Sequence, residues 1–181
     1  MVAQPLSFLG EIRPMQADDL ETVAWLEQRA NPFPWTLGIF RDCLRVGYPA
    51  WVYTERNAIQ AFSMISTNVF ECHLLNLCVL PEAQGCGIGR HLLRHTLEVV
   101  KGGGKFERMI LEVRQSNTRA LQLYYDEGFR RIGVRKGYYR GQRGREDAIV
   151  LALELLDCVG HLLANHGLLR LFWKCNLKIR S

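Results

Sequence analysis

The sequence predicts a mixed α/β domain, built as one sheet with helices on both faces. Three observations predict it. Apolar residues switch between a period of two and a helical period in the order strand, two helices, three strands, helix, strand, helix, two strands. Gly85, Gly87 and Gly89 stand between an apolar strand and an amphipathic helix. The 181 residues suffice for one hydrophobic core that needs neither metal nor disulfide.

Glu11–Met15 reads as a short strand. Asp18 or Asp19 can cap the helix that follows, whose stripe is Leu20, Val23, Ala24, Glu27 and Ala30. Asn31-Pro32-Phe33-Pro34-Trp35 ends it, because the prolines cannot continue a helix. Thr36 opens a second helix over 36–46. Strands are expected at 49–55, 58–68 and 70–80, the first two joined by a tight turn at Arg56–Asn57. Beyond the glycines, Ile88, Leu92, Leu93, Leu97 and Val100 recur at helical spacing until Gly102–Gly104. Arg108–Arg114 alternates, with Met109, Leu111 and Val113 on one face. Asn117 caps a helix to about Glu127, and Gly128 closes it. Strands are expected at 129–135 and 147–155, separated by a polar, glycine-rich linker at 136–146. The domain is expected to span residues 1–155, with 156–181 as a basic and apolar C-terminal extension of unassigned role.

Composition excludes several classes. The formal charge is +5, and Arg170, Lys174, Lys178 and Arg180 against Asp157 place +3 of it in residues 156–181. No dense basic stripe remains for a duplex, so nucleic acid is not the expected substrate. None of the six cysteines forms a CxxC pair. His91 and His95 share a helix face, but Leu92 stands where a zinc HExxH motif needs glutamate, and no metal is expected. The N-terminus lacks the basic start and apolar run of a signal peptide, and no apolar run is long enough for a transmembrane helix. A cytoplasmic location is the resulting expectation.

The segment Gln84-Gly85-Cys86-Gly87-Ile88-Gly89-Arg90 carries the chemistry. Backbone N–H groups at a helix N-terminus have no intrahelical partner and favour an anion, usually phosphate. Glycines let that anion approach the backbone, and Arg90 can add charge at the rim. A Walker A loop counted from Gly85 requires glycine and lysine where Arg90 and His91 stand. A dinucleotide GxGxxG loop requires a spacing that these alternate glycines do not have.

Gln84-x-x-Gly87-x-Gly89 resembles the pyrophosphate-binding signature of the GNAT superfamily of N-acetyltransferases. Further blocks resemble its RimI-type subfamily, the bacterial ribosomal-protein alanine N-acetyltransferases. They are Glu27-Gln28-Arg29-Ala30 with Phe33-Pro34-Trp35, Leu111-Glu112-Val113-Arg114 with Ser116-Asn117, Leu123-Tyr124 with Gly128-Phe129, and Tyr138-Tyr139 with Gly144-Arg145-Glu146-Asp147-Ala148-Ile149. The resemblance covers about residues 11–155. It implies a mostly antiparallel seven-stranded sheet with a splayed central pair, acetyl-CoA as acetyl donor, and direct transfer to the α-amine of an N-terminal alanine. The implied acceptor is a small-subunit ribosomal protein.

The reaction is attack of a neutral amine on a thioester. A protein α-amine, with pKa about 8, is partly free near neutrality, whereas a lysine amine near 10.4 is harder to present. The resemblance implies that backbone groups of Leu77, Cys78 and Val79 position the acyl arm. Gln84, Gly85, Cys86, Gly87, Ile88, Gly89 and Arg90 surround the diphosphate, and Asn117 makes a further cofactor contact. Glu112 is the implied general base and Tyr124 the implied general acid towards the leaving thiolate. Arg119 is a candidate for the nucleotide phosphate. Phe33, Trp35, Tyr138 and Tyr139 are candidates for the peptide side, and acidic Glu146 or Asp147 can attract a basic substrate chain. As alternatives, Trp35 packs in the core and Arg145 pairs with Asp147. Two other readings stay open: a GNAT enzyme for a lysine or small amine, and a non-catalytic acyl-CoA-binding regulator.

Overall fold

A computed structural model describes residues 9–141 and 144–155; the extension at 156–181 lies outside them. Seven strands form one sheet: β1 (Glu11–Pro14), β2 (Ala50–Glu55), β3 (Ala58–Thr67), β4 (Glu71–Val79), β5 (Arg108–Arg114), β6 (Arg130–Gly141) and β7 (Gly144–Glu154). Among the described residues four α-helices accompany them: α1 (Leu20–Ala30), α2 (Leu37–Val46), α3 (Ile88–Gly102) and α4 (Thr118–Asp126). The strand order is β1-β2-β3-β4-β5-β7-β6. Only β4 and β5 run parallel; every other neighbouring pair is antiparallel. Among the described residues no helix is long and apolar enough to cross a membrane.

Strand alternation separates two cores. Trp51 and Tyr53 of β2 face α3, where they meet Leu92, Leu93 and Leu97 together with Leu111, Tyr124, Phe129 and Leu151. Val52 between them points to the opposite face, with Phe62, Met64 and Cys78 against Val23 and Leu26 of α1 and Phe40 of α2. Each fully buried Leu or Phe contributes about 1.5–3 kcal/mol by leaving water. The polar pair buried at the α3 face is satisfied: Ser63 and Thr96 hydroxyls meet at 2.9 Å, and Thr96 also donates to the Leu92 carbonyl.

Several local expectations hold. Thr36 Oγ1 accepts from the Ile39 N–H at 3.4 Å and starts α2. Arg56 and Asn57 both take positive φ in a tight β2–β3 turn. Two expectations are corrected. Asp19 does not cap α1 with its side chain; it accepts from the Gln16 N–H at 2.7 Å and binds Arg13, fixing the 3-10 turn before the helix. The segment 136–146 is not a linker where the structure describes it. Residues 136–141 and 144–146 belong to the long β6 and β7 strands, whose register shifts between Arg135 and Tyr139. At that irregularity Asp147 accepts from the Gly137 N–H at 2.8 Å and from Lys136 at 2.7 Å. Side chains therefore complete what the strand ladder leaves open.

One irregularity shapes the centre of the sheet. β4 pairs with β5 only from Glu71↔Arg108 to Leu74↔Leu111. Just there, β4 also bulges against β3, because Met64 faces Asn76 while Ile65 faces Leu74. Leu75 is the extra residue, and beyond it the two central strands diverge. The β5-facing edge of Leu75–Val79 thus has no strand partner.

Candidate active site

Two clefts open where the strands part. The first, about 280 Å³, is lined by Glu27, Trp35, Leu75–Val79, Glu112, Asn117, Tyr124 and Tyr139, among others. The second, about 640 Å³, runs over the glycine turn, from Leu77, Val79 and Gln84 through Gly85, Gly87, Gly89 and Arg90 to Asn117, Arg119 and Tyr124. Leu77, Val79, Gln84, Asn117, Ala120 and Tyr124 line both. A ligand lying along the free edge of β4 therefore passes Tyr124 as it goes from one cleft to the other.

The glycine turn is built for an anion. Gly85 (φ +86°) and Gly87 (φ +82°) are left-handed, a conformation that a side chain resists. Gly87 is the N-cap of α3, and the His91 N–H is the donor that bonds back to its carbonyl. The N–H groups of Ile88, Gly89 and Arg90 precede that bond and have no intrahelical partner. A Cβ at Gly85 would meet nothing within 4 Å, so space around this glycine is open and only its positive φ disfavours a side chain. Gln84 fastens the turn: its Nε2 donates to the Val79 carbonyl at 3.0 Å, and its Oε1 accepts from Arg119 at 3.0 Å. Arg119 is thus tied to Gln84 beside the cradle. Arg90 is held by Asp126 at 2.6 Å, which directs its charge towards α4. The Cys86 side chain is exposed and that of Ile88 is buried. Cys78 packs with the buried residues of α1 and α2 and is also among the residues that line the first cleft. Asn117 caps α4 by accepting from the Ala120 N–H at 3.1 Å and lines both clefts.

Glu112 and Tyr124 sit differently. Glu112 lines the first cleft, its side chain 16% exposed, and Oε1 pairs with Arg135 at 3.0 Å. Tyr124 is buried against Phe129, ring centres 5.6 Å apart. That burial raises its phenol above the ordinary value, so it stays a proton donor. Tyr139 is raised as well, chiefly by burial, and its hydroxyl donates to the Glu112 carbonyl.

Of the four acceptor-side aromatics, Trp35 and Tyr139 line the first cleft. Trp35 also packs on Phe40, with ring centres 5.5 Å apart. Phe33 and Tyr138 are partly exposed and do not line that cleft. Arg114 draws two of these aromatics together, its guanidinium 5.2 Å from the Phe33 ring and 4.4 Å from that of Tyr139. Glu146 and Asp147 are not free for a basic chain. Glu146 accepts from the Ser116 N–H at 2.6 Å and from Arg114 at 3.3 Å, while Asp147 holds Lys136. Arg145 does not pair with Asp147; it donates to the carbonyls of Gly137 and Tyr138. Among the described residues no group of three His, Cys, Asp or Glu could hold a metal.

The Acetyltransferase (GNAT) family matches residues 15–129. The chain belongs to the GNAT acetyltransferase family. It is similar to the [Ribosomal protein bS18]-alanine N-acetyltransferase of Escherichia coli K12, 34% identical over 147 residues, 81% of this chain and 99% of the relative. The Haemophilus influenzae enzyme of the same name is 36% identical over 145 residues, covering 80% and 98%. The crystal structure of the E. coli enzyme superposes with a TM-score of 0.77 over 81% of this chain and 94% of that one. As a GNAT enzyme the protein is an acetyl-CoA-dependent N-acetyltransferase. Its open glycine cradle and unpaired β4 edge fit that donor, the former supplying anion-binding N–H groups and the latter backbone partners for an extended arm.

Sequence reasoning missed three residues that organise this GNAT site. Arg114 and Arg135 act through partners from other strands, which no local pattern reveals. Glu27 did leave a signal: it is a charged residue on the apolar stripe of α1, and the structure buries it to 1% exposure.

Proposed function

We propose that the protein transfers acetyl from acetyl-CoA directly to the α-amine of an N-terminal alanine, and that the acceptor is a small-subunit ribosomal protein. One observation carries the reading: Glu112 lines only the smaller cleft, whereas Tyr124 lines both. Acid and base can then work on opposite sides of one acyl group. The high coverage of bS18-alanine N-acetyltransferases supports the choice of acceptor. A ribosomal acceptor agrees with a cytoplasmic enzyme, and catalysis is assigned to residues 1–155.

Each step has a residue. Glu112 takes a proton from the acceptor ammonium, directly or through a water, and leaves the amine lone pair free to attack. Backbone N–H groups near Val79 stabilise negative charge that develops on the acyl oxygen. Tyr124 gives its phenolic proton to the sulfur as the C–S bond breaks. Trp35 and Tyr139 confine the acceptor chain, and holding both reactants in one geometry supplies much of the rate.

The test uses purified protein, acetyl-CoA and a short peptide beginning Ala-Arg. The expected product carries one acetyl group on the α-amine, and Glu112→Gln binds acetyl-CoA normally while losing about 10²- to 10⁴-fold in kcat. Turnover on lysine side chains or a small amine, with none on the α-amine, would replace this acceptor. Full rate in Glu112→Gln would remove the base.

A further inference from the structure

Glu27 is a buried carboxylate with half its bonding unmet. It lies on the core-facing side of α1 beside Val23, Ala24 and Leu26. Its Oε1 accepts from Asn31 Nδ2 at 3.0 Å and from the Trp35 N–H at 3.3 Å, folding the Asn31–Trp35 loop around it. Its Oε2 is equally buried, no N–H or hydroxyl donates to it, and the one further donor beside Glu27 is the thiol of Cys78. The neighbouring thiol of Cys78 is raised far above its ordinary pKa, first by burial and then by the charge of Glu27. A thiol is only a weak donor and brings no positive charge. Glu27 lines the same cleft as Glu112, Trp35, Tyr124 and Tyr139.

Glu112 and Glu27 are therefore unlike. Glu112 already has a cation, Arg135. Glu27 is a carboxyl group removed from water with no cation paired to it among the described residues, an arrangement that is costly for its charged form unless something else compensates. The cleft it lines is the one that the proposed reaction assigns to the acceptor, whose amino terminus arrives as an ammonium.

We propose that Glu27 is the specificity-determining residue of the acceptor cleft, an uncompensated anion that selects the cationic free amino terminus and hands it on to Glu112. The inference rests on the N-terminal acceptor reading. An ammonium that enters the cleft loses water, and a fixed negative charge in low-dielectric surroundings offsets that loss over several ångströms. A chain end without the amine gains nothing from it. The same carboxylate anchors Trp35, so the charge and the aromatic wall of the cleft are set by one side chain.

The experiment measures binding to the CoA-loaded protein of a short peptide beginning Ala-Arg, and of its analogue with the α-amine replaced by hydrogen. Wild type should favour the amine-bearing peptide, and Glu27→Gln should lower that preference about tenfold or more. Glutamine retains an oxygen for Trp35 and Asn31, so CoA affinity and melting temperature should stay near wild type. Equal weakening of both peptides would make Glu27 a purely structural anchor and overturn the proposal, as would an unchanged ratio. A second measurement needs no variant. Wild-type affinity for the amine-bearing peptide should fall as pH rises past about 8, where the ammonium is lost; affinity that rises there would also overturn it. Failure of wild type to acetylate the peptide at all would instead strike the N-terminal reading itself.

Discussion

The hydroxyl of Tyr139 donates a hydrogen bond of 2.8 Å to the main-chain carbonyl of Glu112. It joins the outer hairpin to the strand that carries the proposed base. Burial keeps the phenol protonated, so the bond persists through the working pH range. Tyr139→Phe removes it and leaves the ring in place over Arg114. Such a bond contributes about 0.5–1.5 kcal/mol. The variant should melt a few degrees lower and raise KM for peptide several-fold, with KM for acetyl-CoA unchanged because Tyr139 lines only the smaller cleft. A rise in both KM values would show that the hairpin supports the whole site rather than its acceptor half.

Tyr124 gives a prediction about pH. The acid form of the phenol is the active one in the proposed mechanism, and burial moves its ionisation above the ordinary value near 10. Raising the pKa of a group needed in its protonated form pushes the alkaline limb of activity upward. kcat should therefore show no decline from this residue below about pH 10. Tyr124→Phe should lower kcat about 10²- to 10⁴-fold with little effect on either KM. Full kcat in the phenylalanine variant would mean that the thiolate leaves without this proton.

The glycine turn separates strain from approach. Gly87 has φ +82°, which a β-branched residue tolerates poorly, so Gly87→Val should cost about 1–3 kcal/mol and lower the melting temperature. Gly89 is different. It lacks a positive φ, and a Cβ there would touch Val79 Cγ2 at 3.4 Å, an ordinary contact. Gly89→Ala should fold as well as wild type. If diphosphate approaches the backbone at this turn, Gly89→Ala raises KM for acetyl-CoA while the melting curve stays put. An unchanged KM would move the diphosphate off this glycine.

What was legible in the sequence was what local chemistry decides. Thr36 and Asn117 cap their helices because a short polar side chain before an apolar stripe has few other uses. The cradle was readable because three alternate glycines at the start of a helix mark where its N–H groups are bare. The hairpin arm was not. Its glycines and charges hide the period of two, and its stability comes from Asp147 and Arg145 reaching across to the facing strand. Arg114 and Arg135 were illegible for the same reason. Phe33, Tyr139 and Glu146 meet Arg114 only after three separate elements have packed. The end of the β4–β5 pairing coincides with a single extra residue, Leu75, that no composition marks.

Asp19 links the stability of the fold to acid. Arg13 grips Asp19 with two bonds, of 2.7 and 2.8 Å, and the Gln16 N–H adds a third at 2.7 Å. The Arg13 hydrogen bond is the main cause that holds the Asp19 carboxyl below its ordinary range, against the opposing effect of burial. A carboxyl whose pKa is lower folded than unfolded contributes stability above the unfolded value, about 3.9, and loses it as pH falls through the folded value. Asp19→Asn should therefore be less stable than wild type at neutral pH, by about 2 kcal/mol for charge-assisted bonds to a buried carboxylate. The gap should narrow as pH drops below about 4, since wild type then protonates the same group. Urea unfolding of both proteins at a series of pH values reads the gap directly. A difference that stays constant down to the acid transition would mean that the substitution disturbs packing or geometry rather than charge, and that the Arg13 pair adds nothing that protons can remove.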